Sequence, residues 1–181
     1  MTPRERELIS RFVITPHKRK PRITKEEFLQ RFRPHVSDGQ KLSLDLLNEA
    51  LHAKNPEDVD DALIVGFNFG FSPKHVDMLC ELSDADWHFS HEDIVSALDE
   101  VRDPRAIETL YKATQKVPEY LVHDESRSLA VKAIYALGNI SHPSANEKLR
   151  LLSESKNEIL RETALLQLEY RANSPKFPPE V

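Results

Sequence analysis

Asn55-Pro56, Ser72-Pro73 and Asp103-Pro104 each set a capping residue directly before proline, and Pro143 follows His142 in the same manner. Proline is tolerated in the first turn of a helix because its missing N–H would have no partner there, while the residue before it offers a side-chain acceptor to the free amides. The chain is therefore punctuated by helix starts. Thr24 and Glu27 add the spacing of a capping box, and Ser90 with Asp93 and Asp124 with Arg127 are weaker starts. Apolar stripes at three- and four-residue intervals follow: Leu44, Leu47 and Leu51; Ile94, Leu98 and Val101; Ile107, Leu110 and Tyr111; Leu149 and Leu152. Only four glycines occur in 181 residues, and Val and Ile do not alternate with polar residues, so helix is favoured throughout. The expected fold class is all-α. Helices are expected near 3–13, 24–33, 41–53, 57–68, 73–83, 91–101, 104–116, 125–138, 143–153 and 157–171, about ten in all.

The helices come in pairs that resemble one another. Ala97-Leu98-Asp99-Glu100-Val101-Arg102-Asp103-Pro104-Arg105-Ala106 aligns with Ala136-Leu137-Gly138-Asn139-Ile140-Ser141-His142-Pro143-Ser144-Ala145, and Leu110 aligns with Leu149. Phe71-Ser72-Pro73-Lys74-His75-Val76 fits the same junction upstream, and Arg127-x-x-Ala130 recurs as Arg161-x-x-Ala164. The offsets of 31, 39 and 34 residues fall in the range of helix-pair solenoids.

The run Arg127-x-x-Ala130-x-x-Ala133-x-x-Ala136-Leu137-Gly138-x-Ile140-x-x-Pro143-x-Ala145-x-x-x-Leu149-x-x-Leu152 resembles the HEAT-like repeats named after phycobilisome lyases. The resemblance implies an α-solenoid of antiparallel helix pairs, a HEAT-like superhelix, clearest over residues 56–171. Small alanines would let helices cross closely, Gly138 would end a helix, and Pro143 would restart the chain. Arg127 and Arg161 are expected to pair with acidic neighbours in the adjacent repeat.

The expected organisation is an N-terminal helix and basic linker over 1–23, a helical repeat domain over 24–171, and a proline-rich tail over 172–181. Hydrophobic residues make up 39% and charged residues 30%, and no apolar run approaches the roughly 18 residues of a membrane span. MTPRERELISRF lacks the apolar core of a secretory signal, so a cytoplasmic location is expected. The lone cysteine, Cys80, excludes an intrachain disulfide and reads as a small buried hydrophobe within Met78-Leu79-Cys80-Glu81-Leu82.

Charge divides the chain. Residues 1–35 carry ten Lys and Arg against four Asp and Glu, a formal +6, whereas residues 57–108 carry three against fourteen, a formal −11. An acidic body argues against nucleic acid, because phosphate would be repelled. The basic cluster from Lys18 to Arg22 reads as a solvated linker.

Trp87-His88-Phe89-Ser90-His91-Glu92-Asp93 gathers imidazoles, carboxylates and a hydroxyl, yet it falls at a helix start. Ser90 is expected to cap, Glu92 and Asp93 to face the positive end of the helix dipole, and the histidines to be exposed. No second ligand pair stands at metal-binding spacing, and no Gly-rich phosphate loop occurs, so neither metal, cofactor nor catalytic residue is expected. The rings around Gly66-Phe67-Asn68-Phe69-Gly70-Phe71 read as packing.

What remains is a surface. Asp84, Asp86, Glu92, Asp93, Asp99 and Glu100 surround two successive helices, with Trp87 and Phe89 on the loop between them. Aromatic anchors among carboxylates suit a partner protein with a basic surface. The HEAT-like resemblance allows an immunity protein that sequesters a basic bacterial toxin, a general adaptor, or an accessory to a chromophore lyase. Spacing alone does not choose the working face, and oligomeric state is not legible.

Overall fold

The computed structural model describes residues 1–13, 22–33 and 35–174. Most of the basic linker, including Lys18, and the tail from Pro175 onward lie outside the described residues. Among the described residues there are ten α-helices and no strand: α1 (Pro3–Ile9), α2 (Lys25–Phe32), α3 (Gly39–Ala53), α4 (Pro56–Phe69), α5 (Val76–Asp84), α6 (His91–Val101), α7 (Ile107–Gln115), α8 (Ser128–Asn139), α9 (Pro143–Ser153) and α10 (Glu158–Asn173). No helix among them is long and apolar enough to cross a membrane.

Three of the expected starts carry the side-chain cap that their residues imply. The side chain of Asn55 accepts from the Asp58 amide at 3.3 Å, that of Asp103 from Arg105 at 2.9 Å, and the His142 ring from Ser144 at 3.2 Å. Two starts differ from expectation, because Pro73–His75 and Pro104–Ala106 are single 3-10 turns that lead into α5 and α7. In each the amide three residues on closes onto the carbonyl before proline, His75 to Ser72 at 2.9 Å and Ala106 to Asp103 at 3.0 Å.

Long cations serve the other helix ends. Arg127 donates to the Thr114 carbonyl at 3.2 Å and Arg161 to the Ser155 carbonyl at 3.3 Å. The arginines thus close preceding helix ends, where carbonyls lack partners, and among the described residues neither makes the expected acidic pair. Arg171 does the same for α8, donating to the carbonyls of Gly138 and Ile140 at 2.8 and 2.7 Å. Lys54, Arg102 and Arg127 adopt left-handed backbone with φ of 47°, 55° and 54° at helix boundaries. An L side chain there is strained by roughly 1–2 kcal/mol, partly offset in glycine by its greater unfolded freedom. Lys54→Gly is therefore expected to stabilise the chain by about 0.5–1 kcal/mol, read as a rise of about 2 °C in the thermal midpoint.

One hydrophobic cluster extends from Leu8 to Ala164. Within it α3 packs against α4, α5 against α6, α7 against α8 and α9 against α10. Further contacts run from α4 to α6, α8 and α10 in succession, and from α3 to α5, α7 and α9. The aligned positions match in burial: Ala97 and Ala136, Leu98 and Leu137, Ala106 and Ala145, and Leu110 and Leu149 are all fully buried. Gly138 departs from expectation, since α8 continues to Asn139 and is capped by Ile140. Its lack of a side chain serves packing instead, because a Cβ there would stand 2.1 Å from Oε1 of Gln167 on α10. The Phe67–Phe71 segment is also mixed. Phe69 lies against Phe12 and Phe28, whereas Phe67 is exposed and meets Phe71 edge-on at 5.1 Å.

Candidate protein-binding surface

The segment from Asp84 to Asp93 links α5 to α6, and its two histidines hold it in place. His88 Nδ1 accepts from the Ser90 amide at 3.1 Å, which leaves Nε2–H to donate to the Leu82 carbonyl at 2.8 Å. His91 stacks on His88 with ring centroids 4.5 Å apart. One His91 nitrogen shares a 3.1 Å hydrogen bond with the Tyr120 hydroxyl, and the His91 amide donates to the same oxygen at 3.3 Å. Its Nε2 stands 2.8 Å from the Ala85 carbonyl and 3.1 Å from Nζ of Lys116. The Lys116 ammonium in turn donates to the carbonyls of Ser83 at 3.0 Å and Ala85 at 2.9 Å, closing the end of α5.

Both histidines are therefore buried, at 1% exposure, where surface positions were expected. Burial pushes both imidazoles below the ordinary histidine range, His91 to about 4, and the Lys116 charge adds to the effect. Burial likewise lowers the Lys116 ammonium, against the pull of Asp84 and Asp86. Ser90 makes no side-chain cap on α6; its hydroxyl donates to the Asp60 carboxylate on α4 instead. The imidazole nitrogens are thus engaged within the fold, and among the described residues no three His, Cys, Asp or Glu converge as a metal set. Cys80 is half-buried, and burial raises its thiol.

The two candidate anchors separate. Trp87 turns inward, packs against the core and meets His88 edge-on at 5.1 Å. Phe89 points out at 66% exposure and abuts the Tyr120 ring at 5.4 Å and 89°. Tyr120 is 37% exposed, and Val117 and Val122 are exposed in the same connection. Sequence reading missed these three because residues 116–127 follow no helical period; a proline between Val117 and Glu119 was the only cue to a surface loop.

The carboxylates also divide. Asp84 pairs with Lys112 at 3.4 Å and Glu92 with Lys132 at 3.0 Å, while Asp99 accepts from the Asn139 amide at 2.7 Å. The last two contacts fasten α6 to α8. Asp86, Asp93 and Glu100 are exposed. Although Asp93 is exposed as a residue, partial desolvation of its carboxyl raises it above the usual carboxylate range; Lys132 opposes this, and Asp60 and Glu92 add to it. Burial raises the Tyr120 hydroxyl, the hydrogen bond from the His91 amide opposes this, and the charges of Glu92, Asp93 and Asp60 add to it. Asp60 belongs to this group although it stands on α4, about thirty residues upstream, which is why spacing along the chain did not find it. Of the expected eight, Phe89, Glu92 and Asp93 thus gather with Asp60 and Tyr120. Asp84 and Asp86 lie toward Lys112 and Lys116, and Asp99 and Glu100 lie farther along α6.

A second exposed group follows on α8 and α10. Tyr135, spaced between Lys132 and Asn139 on one helical stripe, is exposed, as are Leu165, Leu166 and Tyr170. No family model, curated protein or solved structure matches this chain.

Proposed function

We propose that this chain is a non-catalytic α-solenoid of antiparallel helix pairs whose acidic side binds a basic protein, most specifically as an immunity-type inhibitor that sequesters a bacterial toxin in the cytoplasm. The observation that carries the reading is Phe89: a large ring left in water beside Tyr120, with Glu92 and Asp93 in the first turn of the adjoining helix and Asp60 bound to the neighbouring Ser90. Such a ring contributes to binding by desolvation, and surrounding carboxylates steer a cationic partner toward it. The succession of contacts from α4 through α10, with aligned residues equally buried, supports the stacked arrangement. An inhibitor of this kind needs a preformed surface, and the buried His88, His91 and Lys116 contacts fix the loop that presents it.

The test is binding to a toxin encoded beside this chain, measured by calorimetry with purified proteins. Reversing charge at Asp84, Asp86 and Asp93 together is expected to weaken binding about 100-fold, mostly at low salt, while the thermal midpoint stays within about 2 °C. Unchanged affinity would remove the acidic surface from the interface. Survival of cells that co-express the toxin with wild-type chain, and death with the triple variant, separates an inhibitor from a general adaptor.

A further inference from the structure

Resting on the protein-binding reading above, we infer that the corner formed by Phe89 and Tyr120 seats an arginine side chain of the partner. Two rings meet there at 89°, both open to solvent on their outer sides, so the corner offers a ring face next to a ring edge. Acids reach this corner from two sides: Glu92 and Asp93 open α6 directly after His91, whose amide and ring hold the Tyr120 hydroxyl, and Asp60 accepts from the hydroxyl of Ser90, the residue next to Phe89. Glu92 is matched by Lys132 at 3.0 Å, and that one ammonium is shared with the exposed Asp93, whereas the Asp60 carboxylate is met by the neutral Ser90 hydroxyl. The corner is thus richer in negative charge than the chain itself neutralises.

That surplus selects among occupants. An apolar side chain would strip water from carboxylates without giving them a counter-charge, a net loss. An anion would be repelled. A cation gains from the open ring face and from the carboxylates together, and the two natural cations differ in shape. Guanidinium is flat, weakly hydrated and forked, so it stacks on a ring while its edge donates two bonds to a carboxylate; an ammonium does only one of these well. The site is also held ready from beneath. His91 fixes the Tyr120 oxygen with its amide at 3.3 Å and its ring at 3.1 Å, and His88 fixes the turn that carries Phe89, so little order remains to be imposed on binding.

The test uses the full chain and three blocked tripeptides, acetyl-Gly-X-Gly-amide with X arginine, lysine or citrulline, titrated to tens of millimolar and followed by NMR. Arginine is expected to shift the Phe89 and Tyr120 ring signals and the Asp93 amide, with affinity at least about threefold above lysine, and citrulline to leave them unmoved. Phe89→Ala and Asp93→Asn are each expected to abolish the remaining shifts, with dispersion elsewhere confirming the fold. Equal response to lysine, a response from citrulline, or shifts that persist in Phe89→Ala would overturn the inference. Failure of the wider reading looks different: a purified partner would then bind Phe89→Ala as well as wild type. A partner lost on Phe89→Ala with no response to arginine peptide sinks the arginine seat alone.

Discussion

Lowering the pH from 7 to 4.5 is expected to destabilise the fold by about 2 to 3 kcal/mol through His91 alone. In the folded chain this imidazole takes a proton only near about 4, against an ordinary value of 6.5, because it is buried and a second proton would set a cation 3.1 Å from the Lys116 ammonium. Between those two values the unfolded chain holds more protons than the folded one, so stability is full above about 6.5 and drains away as the pH falls toward 4. His75 and His88 are lowered by burial and act in the same direction. Asp61 and Asp93 are raised by burial and act oppositely at the acid end, since the folded state protonates them first. For a chain of this length the thermal midpoint should drop by about 5 to 10 °C. His91→Gln removes the ionisable ring and is expected to flatten that dependence while lowering stability at pH 7. Denaturant unfolding at both pH values reads the difference; equal stabilities for wild type would place a solvated, ordinary histidine at this position.

Truncating Leu98 or Leu137 to alanine should cost about 2 to 5 kcal/mol each. These leucines occupy the same place in two aligned segments and are both fully buried, one on α6 and the other on α8, which pack directly on each other. A fully buried leucine loses its transfer energy and leaves a cavity that packed neighbours fill only in part. Because both belong to one hydrophobic cluster, each variant should still unfold in a single transition, with a midpoint lowered by roughly 5 to 20 °C. Two resolved transitions, or a loss below about 1 kcal/mol, would separate the core into independent parts or place these positions near the surface.

Helix class, helix order and most starts were legible because they depend on neighbours in the chain. A cap and a proline at Asn55-Pro56 act locally, and the stripe Ile94, Leu98, Val101 recurs with the period of one helix. What escaped was set by approach between distant residues. Gly138 read as a helix stop, but its smallness accommodates Gln167; Ser90 read as a cap, but Asp60 claims its hydroxyl from α4. His88 and His91 read as exposed because histidine beside Glu92 and Asp93 is a polar pattern, and nothing local announces that carbonyls of α5 and the Lys116 ammonium enclose the rings. The same holds for the binding surface. Phe89 and Asp93 were found by their crowding along the chain, whereas Tyr120 and Asp60 join them only through the packing of α4 on α6 and the return of the loop before α8.

The most direct test of the proposed surface is hydrogen exchange of the chain with and without its purified partner. Slowed exchange is expected at residues 86–93 and 117–122, where Phe89 and Tyr120 meet, with α9 unchanged. Protection confined to α9, or to the start of α3, with residues 86–93 unaffected, would contradict that surface.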